Sequence, residues 1–206
     1  MKDLYAYTFL KIDSQGYVVI KQDGSYGLEQ GEPVFLGKTS PDFNLGWSNS
    51  LSYKGFGLSF LINGRFGGVV TSSTQAILDR FGVSKASAEA RDAGGVLLSG
   101  QGRVDAQSYY QLIGTGDYTT SGYYVYSATN IRLQELTLSY RFPDLWFKNV
   151  LKDVTLSFIA NNPWMLYSKA PHDPELTPSV GTYGQGNDYF MQPSVRSFGF
   201  GIKFKL

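Results

Sequence analysis

Cysteine is absent from this 206-residue chain. That excludes disulfides, thiolate zinc sites and a cysteine nucleophile, and it suits an oxidising compartment without requiring one. Charge is also scarce: 17% of residues are Asp, Glu, Lys or Arg, against about 25% in an ordinary soluble domain. The chain therefore carries fewer charges than a water-facing surface normally needs. The 18 basic and 17 acidic residues nearly cancel to +1, and no run of five like charges occurs, so a nucleic-acid footprint is excluded. No stretch approaches the roughly 20 consecutive apolar residues of a membrane helix. Met1-Lys2-Asp3-Leu4 leads into mixed polar and aromatic residues rather than a signal peptide, so the chain is either cytoplasmic or a piece whose start lies elsewhere.

Catalytic signatures are equally thin. The single histidine, His172, lies between Pro171 and Asp173. It reads as a solvated loop residue, because a Ser-His-Asp arrangement would have to be built on a mobile segment. Gly181, Gly184 and Gly186 have the wrong spacing for a dinucleotide or phosphate loop, and Asp23-Gly24 lacks the repeated ligands of a calcium loop. No catalytic, cofactor-binding or metal-binding residue is assigned, substrate-binding residues remain unknown, no cofactor is expected, and the chain is read as a non-enzyme.

What is present is glycine, at 24 residues, with 15 Tyr and 14 Phe, arranged with a period of two. Phe43, Leu45, Trp47, Leu51 and Tyr53 alternate with Asn44, Gly46, Ser48, Ser50, Ser52 and Lys54, with Asn49 the exception on the apolar side. Past Gly55, Phe56, Leu58, Phe60, Ile62 and Phe66 alternate with Gly57, Ser59, Asn63 and Arg65, with Leu61 the exception on the polar side. Two strands of about 11 residues joined at Lys54-Gly55 make a tight hairpin. Leu136 to Phe142, Val154 to Asn161 and Ser197 to Leu206 repeat the pattern. Ile131 and Leu133 have the opposite parity to Leu136, which points to a bulge near Gln134-Glu135 or to a strand start after it. These strands run about 9 to 13 residues, longer than the five or six of soluble sheets and matching the 9 to 11 of a tilted membrane strand.

Aromatics at Phe43, Tyr53, Phe56, Phe66, Tyr140, Phe142, Phe158 and Trp164 fall near strand ends, as interfacial girdles do. With a periplasmic C-terminus, the links at Lys54-Gly55 and Pro143 to Asp153 lie inside, while Phe66 to Thr129 and Asn162 to Ser194 lie outside. Short turns inside and long loops outside are the asymmetry of outer-membrane barrels. The fold class is therefore all-β, an antiparallel up-and-down transmembrane β-barrel section of about five long strands with long external loops carrying short helices. One helix is capped by Ser72 or Ser73 and stops at Gly82; another is capped by Ser84 and stops at Gly94-Gly95. Residues 1 to 40 read as a further external loop with weak strands at Tyr5 to Leu10 and Tyr17 to Ile20; residues 41 to 206 hold the barrel strands.

The lumen-facing set includes Ser48, Ser50, Ser52, Asn63, Arg65, Thr137, Ser139, Arg141, Lys203 and Lys205. Such residues suit a polar interior, and equally the wet face of a soluble sheet. Tyr109, Tyr110, Tyr118, Tyr123, Tyr124 and Tyr126 leave two readings open: a stacking surface for sugar or peptide, or packing of the loop on itself and an aromatic belt.

Several stretches, in order between Pro41 and Leu206, resemble the SusC/RagA-type TonB-dependent outer-membrane transporters. They are Asn49 with Tyr53-Lys54-Gly55-Phe56; Gly64-Arg65-Phe66-Gly67-Gly68; Gly82-Val83-Ser84-Lys85 leading to Ala90-Arg91-Asp92; Ile131-Arg132-Leu133 with Glu135-Leu136 and Leu138-Ser139-Tyr140; Asp173-Pro174-Glu175; and Arg196-Ser197-Phe198-Gly199-Phe200. The resemblance implies the C-terminal part of a barrel of about 22 strands in the Gram-negative outer membrane, plugged by an N-terminal domain. It also implies energy supplied through TonB and contacted by the absent N-terminal region, a SusD-like surface lipoprotein partner, and glycan or peptide cargo. Leu206 stands where such barrels usually end in Phe, and Asn161-Asn162-Pro163-Trp164 fits the family's pattern only loosely. About eight strands is the minimum for a closed membrane barrel, so five require the missing N-terminal barrel and plug of the same protein, with lipid outside. Two alternatives are a complete small barrel of structural or adhesion type that recruits residues 1 to 40, and a soluble carbohydrate-binding β-domain.

Overall fold

The computed structural model describes residues 5–14, 18–21, 27–98, 102–115, 121–143, 151–176 and 184–205. In chain order the elements are β1 (Tyr5–Leu10), β2 (Gln30–Lys38), β3 (Phe43–Tyr53), β4 (Phe56–Phe66), β5 (Val69–Ser72), α1 (Ser73–Arg80), α2 (Lys85–Asp92), β6 (Val96–Leu98) and β7 (Gly102–Val104). They continue with α3 (Ala106–Ile113), a 3-10 turn (Ser121–Tyr124), β8 (Val125–Ser127), β9 (Asn130–Arg141), β10 (Lys152–Ser168), β11 (Asn187–Asp188) and β12 (Ser197–Lys205). The chain divides into two compact units. One comprises Met1–Ser40, Gly68–Ser127 and Pro174–Gln192; the other comprises Pro41–Gly67, Ala128–Asp173 and Pro193–Leu206.

The second unit is a five-stranded sheet in the order β12-β10-β9-β4-β3, every neighbour antiparallel. Its spatial order is its sequence order, so it is a meander. The alternating pattern creates each strand, because successive side chains leave opposite faces and only residues two apart share a surface. The β3–β4 turn is the two residues Lys54 and Gly55, with φ of 46° and 87°. Positive φ at both central positions matches the right-handed twist of the paired strands. A Cβ on Gly55 would lie 2.6 Å from the Arg141 carbonyl oxygen, while Arg141 N–H donates to the Gly55 carbonyl across 2.8 Å. Gly55→Ala is therefore expected to cost more than about 1 kcal/mol, and Lys54→Asn to stabilise by a few tenths, since asparagine tolerates that φ better. Denaturant midpoints of the two variants check the opposite signs.

The bulge expected near Gln134-Glu135 is present. Leu61 faces Glu135 but Ile62 faces Leu133, so Gln134 is skipped in the ladder with β4. On its other side, Asn161 faces Glu135 and Trp164 faces Leu133, leaving Asn162 and Pro163 opposite Gln134. Asn162 takes φ of 49°, a conformation that asparagine tolerates. Pro163, which cannot donate to a ladder, sits at the one kind of place inside a sheet that accepts it. Because it crosses this irregularity without stopping, β10 reaches 17 residues, longer than the alternation alone indicates. The expected link from Pro143 to Asp153 falls partly outside the described residues.

The other unit has its own core: Ile20, Ala76, Leu98, Tyr109, Tyr110, Ile113 and Tyr124, with Leu28, Ala90, Val96, Val104 and Tyr126 packed against it. Ser72 caps α1 by accepting from Gln75 N–H, and Ser84 caps α2 by accepting from Ser87 N–H, which matches the two expected starts. The sequence reading contains neither α3, capped by Asp105, nor β2. β1 forms where a weak strand was expected, and pairs antiparallel with β2. Val18 and Ile20 lie buried in isolated bridges to Ile12 and Leu28; Tyr17 lies outside the described residues.

Candidate functional site

Register turns the alternation of single strands into continuous rows across the sheet. One row is Leu51, Leu58, Leu138, Phe158 and Phe200; the next is Tyr53, Phe56, Tyr140, Leu156 and Ile202; a third is Asn49, Phe60, Leu136, Ala160 and Phe198. Between them on the opposite face run Ser50, Ser59, Thr137, Ile159 and Gly199, then Ser52, Gly57, Ser139, Ser157 and Gly201. Every residue of the expected lumen set lies on this polar face. Leu61, Ile159 and, beyond the bulge, Met165 are apolar residues on it.

A soluble sheet would cover the apolar face with another layer. Here it is bare: Phe200 is 80% exposed, Ile202 70% and Tyr53 70%. Leaving several bulky side chains per strand in water opposes the main driving force of folding, at about 25 cal/mol per Å² of apolar area. Between the first two apolar rows the face forms a shallow hollow of about 620 Å³, flanked by Leu51, Tyr53, Phe56, Leu138, Leu156 and Phe200. The strands fit a bilayer in length. Eleven residues at about 3.3 Å each, tilted by 35–45°, span roughly 25–30 Å, the height of a barrel's apolar band.

Aromatic pairing marks both ends of the sheet. Phe43 stacks on Phe66 at 4.8 Å, and at the turn end Phe56 meets Tyr140 at 4.5 Å and Tyr140 meets Phe142 at 4.9 Å. Phe158, expected near an end, is mid-strand instead, paired with Leu138 and Phe200. Rings therefore also occupy the middle of the band, where Trp47 meets Phe60 edge to face at 5.2 Å.

The polar face is internally tied. Asn63 Nδ2 donates to Gln134 Oε1, so the bulge residue meets a polar side chain of β4. At the turn end Asp153 accepts from Arg141 and, across 2.6 Å, from Lys205 Nζ. These ions are well exposed, and pairs of that kind contribute little to stability. Towards the other end Arg132 and Asp173 form a buried pair at 2.6 Å, with side chains 8% and 9% exposed. The Ser194 hydroxyl donates to the same carboxylate, and Arg132 Nη1 donates to Ser194 Oγ across 3.4 Å. Serine and aspartate are thus joined both directly and through the Arg132 guanidinium. His172 is half-buried rather than solvated. Nothing in the sequence reading found the Arg132–Asp173 pair, although both residues lie in its quoted motifs. Gly181 and Asp23-Gly24 lie outside the described residues.

The tyrosines divide. Tyr109, Tyr110 and Tyr124 are core residues, whereas Tyr123 is 39% exposed; Tyr118 lies outside the described residues. For these three the packing reading holds. Burial, then the neighbouring Tyr123 and the Asp79 carboxylate, push the Tyr110 phenol up to about 12. Burial and then Asp79 and Tyr123 do the same for Tyr126, also to about 12, and burial followed by Asp79 pushes Tyr124 up as well. Asp79 is itself buried and accepts from Gln75 Nε2 at 2.8 Å. A phenol whose folded pKa is raised keeps its full contribution below its unfolded value near 10 and loses it as pH climbs through the folded value. This unit is therefore expected to loosen between about pH 10 and 12, with Tyr110 and Tyr126 ionising only in that window. Absorbance titration at the phenolate band, with Tyr110→Phe and Tyr126→Phe each removing one late step, checks it.

A bare apolar face backed by a polar one, on long antiparallel strands in meander order, is consistent with a section of a β-barrel. The chain is 22% identical over 201 residues to TonB-dependent receptor P3 of Formosa agariphila, matching 94% of this chain and 19% of that protein. It is 26% identical over 198 residues to TonB-dependent receptor SusC of Bacteroides thetaiotaomicron, matching 91% and 17%. It is 28% identical over 192 residues to TonB-dependent receptor P39 of Formosa agariphila, matching 90% and 18%. In fold it is similar to the RagAB peptide importer in its open-open state, with a TM-score of 0.59 and 15% identity over 99% of this chain and 22% of that one. A second structure, of the RagAB peptide transporter, gives 0.58 and 17% over 98% and 22%. No family model matches. The chain is thus similar to SusC/RagA-type TonB-dependent receptors and spans about a fifth of the length of the relatives it matches.

Proposed function

We propose that this chain forms the C-terminal strands and external connections of an outer-membrane TonB-dependent nutrient transporter, in a barrel of about 22 strands closed by the rest of the same protein. The observation that carries the reading is the two-faced sheet: rows of Leu, Ile, Phe and Tyr left uncovered on one side, and rows of Ser, Thr, Asn, Lys and Arg on the other. The apolar rows face hydrocarbon, and the polar rows line the interior or touch the plug. The outer edges of β3 and β12, unpaired in this sheet, pair with further barrel strands, since an open edge is not tolerated in lipid. The short Lys54-Gly55 turn faces the periplasm, and the long connections face outward.

Cargo is a glycan or a peptide, import is energised through TonB contacting the part of the receptor outside this chain, and a SusD-like surface lipoprotein assists capture. Neither catalysis nor a cofactor belongs to this role. The test is site-by-site labelling in the membrane-assembled receptor. Probes at Phe60, Leu138 and Phe200 are expected to be quenched by lipid-borne quenchers and shielded from aqueous ones, with the reverse at Ser59 and Ser139. Water contact at the first three positions sinks the assignment, and a cooperatively folded monomer without detergent would favour a soluble domain instead.

A further inference from the structure

Within the unit made of residues 1–40, 68–127 and 174–192, one face of α1 lines a cavity of about 270 Å³. Ser73 and Arg80 are seven positions apart, so this face is about 10 Å long at 1.5 Å per residue. Ser73 and the neighbouring Thr71 stand at one end and the exposed Arg80 at the other, with Ala76 and Ile77 between them. Thr115, brought there by Gly114, and Tyr189, held by the pairing of β11 with β5, also line the cavity. A Cβ at Gly114 would lie 2.6 Å from the Ala76 carbonyl oxygen and 2.8 Å from Arg80 Cβ. Only a glycine lets the end of α3 come this close to α1.

Among the described residues the lining has one cation, several hydroxyls, an apolar strip and an aromatic ring 56% exposed at Tyr189, with no Asp or Glu. Each part selects something. Arg80 suits a carboxylate, which it can hold through two parallel N–H donors. Serine and threonine hydroxyls both donate and accept, as sugar hydroxyls require of their partners. Ala76, Ile77 and the Tyr189 ring suit the C–H face of a pyranose. The Asp188 carboxylate beside the lining already accepts from the Ser72 hydroxyl across 2.8 Å, so among the described residues an ammonium group finds no open counter-charge, which disfavours a zwitterionic amino acid or peptide end. The volume lies below the roughly 300–1,000 Å³ of drug-sized pockets, so it takes one ring rather than an oligomer.

We infer that this cavity is a binding subsite for a single acidic sugar residue, a hexuronate, with its carboxylate on Arg80 and its ring on Tyr189. The inference rests on the transporter reading only in placing this unit where free glycans are met. The experiment titrates D-glucuronate, D-glucose and acetate into the intact receptor in detergent, followed by saturation-transfer NMR at the sugar protons. Glucuronate is expected to bind in the millimolar range, with glucose and acetate each about tenfold weaker, because neither supplies both the ring and the charge. Arg80→Gln is expected to reduce glucuronate binding to the glucose level while leaving glucose and the melting temperature unchanged, and Tyr189→Ala to weaken both sugars. Unchanged glucuronate binding in Arg80→Gln, or acetate binding as tightly as glucuronate, overturns the subsite. Such a failure leaves the lipid-facing labels where they are, so it is separable from a failure of the transporter reading.

Discussion

Leu138→Arg is expected to destabilise the membrane-inserted sheet by about 2–4 kcal/mol, the cost of a charge near the middle of a barrel's lipid face. Ser139→Arg, one residue on, is expected to change it by less than about 1 kcal/mol, because a polar interior accepts the charge. Leu138 is the central residue of the row from Leu51 to Phe200, flanked by Leu58 and Phe158. It is 46% exposed within this section, so its replacement meets no crowded protein core. The difference between neighbours therefore reports the solvent on each face rather than loss of packing. Urea titration of the folded receptor in lipid vesicles measures it. Equal costs at the two positions would mean that both faces see the same medium, and the barrel reading would fail.

Arg132→Met is expected to cost about 3–5 kcal/mol, because it leaves the Asp173 carboxylate buried without its counter-ion. The pair holds more than one contact. Asp173 lies soon after β10 ends and Ser194 shortly before β12 begins, and Arg132 on β9 engages both. Breaking the pair therefore releases both ends of that connection, and proteolysis within residues 174–192 should accelerate. The double variant Arg132→Met with Asp173→Leu is expected to recover part of the loss, since removing both charges together removes the desolvation penalty with them. A double variant as unstable as the sum of the singles would show that the two residues do not act as a pair.

The long strands were legible because their signal is local. A strand's two faces are fixed by residues two apart, and no distant partner is needed to see that Phe198, Phe200, Ile202 and Phe204 leave the same side. The bulge was legible for the same reason, as the parity change between Leu133 and Leu136 forces one residue out of step. Ser72 and Ser84 could be read as caps because a cap bonds to an amide three residues away. α3 carried a comparable signal: Asp105 accepts from Ser108 N–H at 2.8 Å, and Ala106, Tyr109, Tyr110 and Ile113, all buried, have helical spacing. Its tyrosines, read as a belt or a stacking surface, drew attention away from that period. β2 was hidden by Gly31, Pro33 and Gly37, which lower strand propensity. It exists because β1 offers a partner, and tertiary pairing overrides local preference.

The sequence by itself determined the two-faced strands, their tight hairpin, their bulge and the caps of α1 and α2, because each depends on a few neighbouring residues. It also bounded the chemistry, through the absence of cysteine, the single histidine and the nearly balanced charge. Only the tertiary structure decided that Tyr109, Tyr110 and Tyr124 form a core rather than a stacking surface. Likewise, only the fold joins Arg132 to Asp173 across 41 positions and brings Arg80 and Tyr189 to one cavity. Burial and charge pairing depend on distances between residues far apart in the chain, and no period in the sequence encodes those distances.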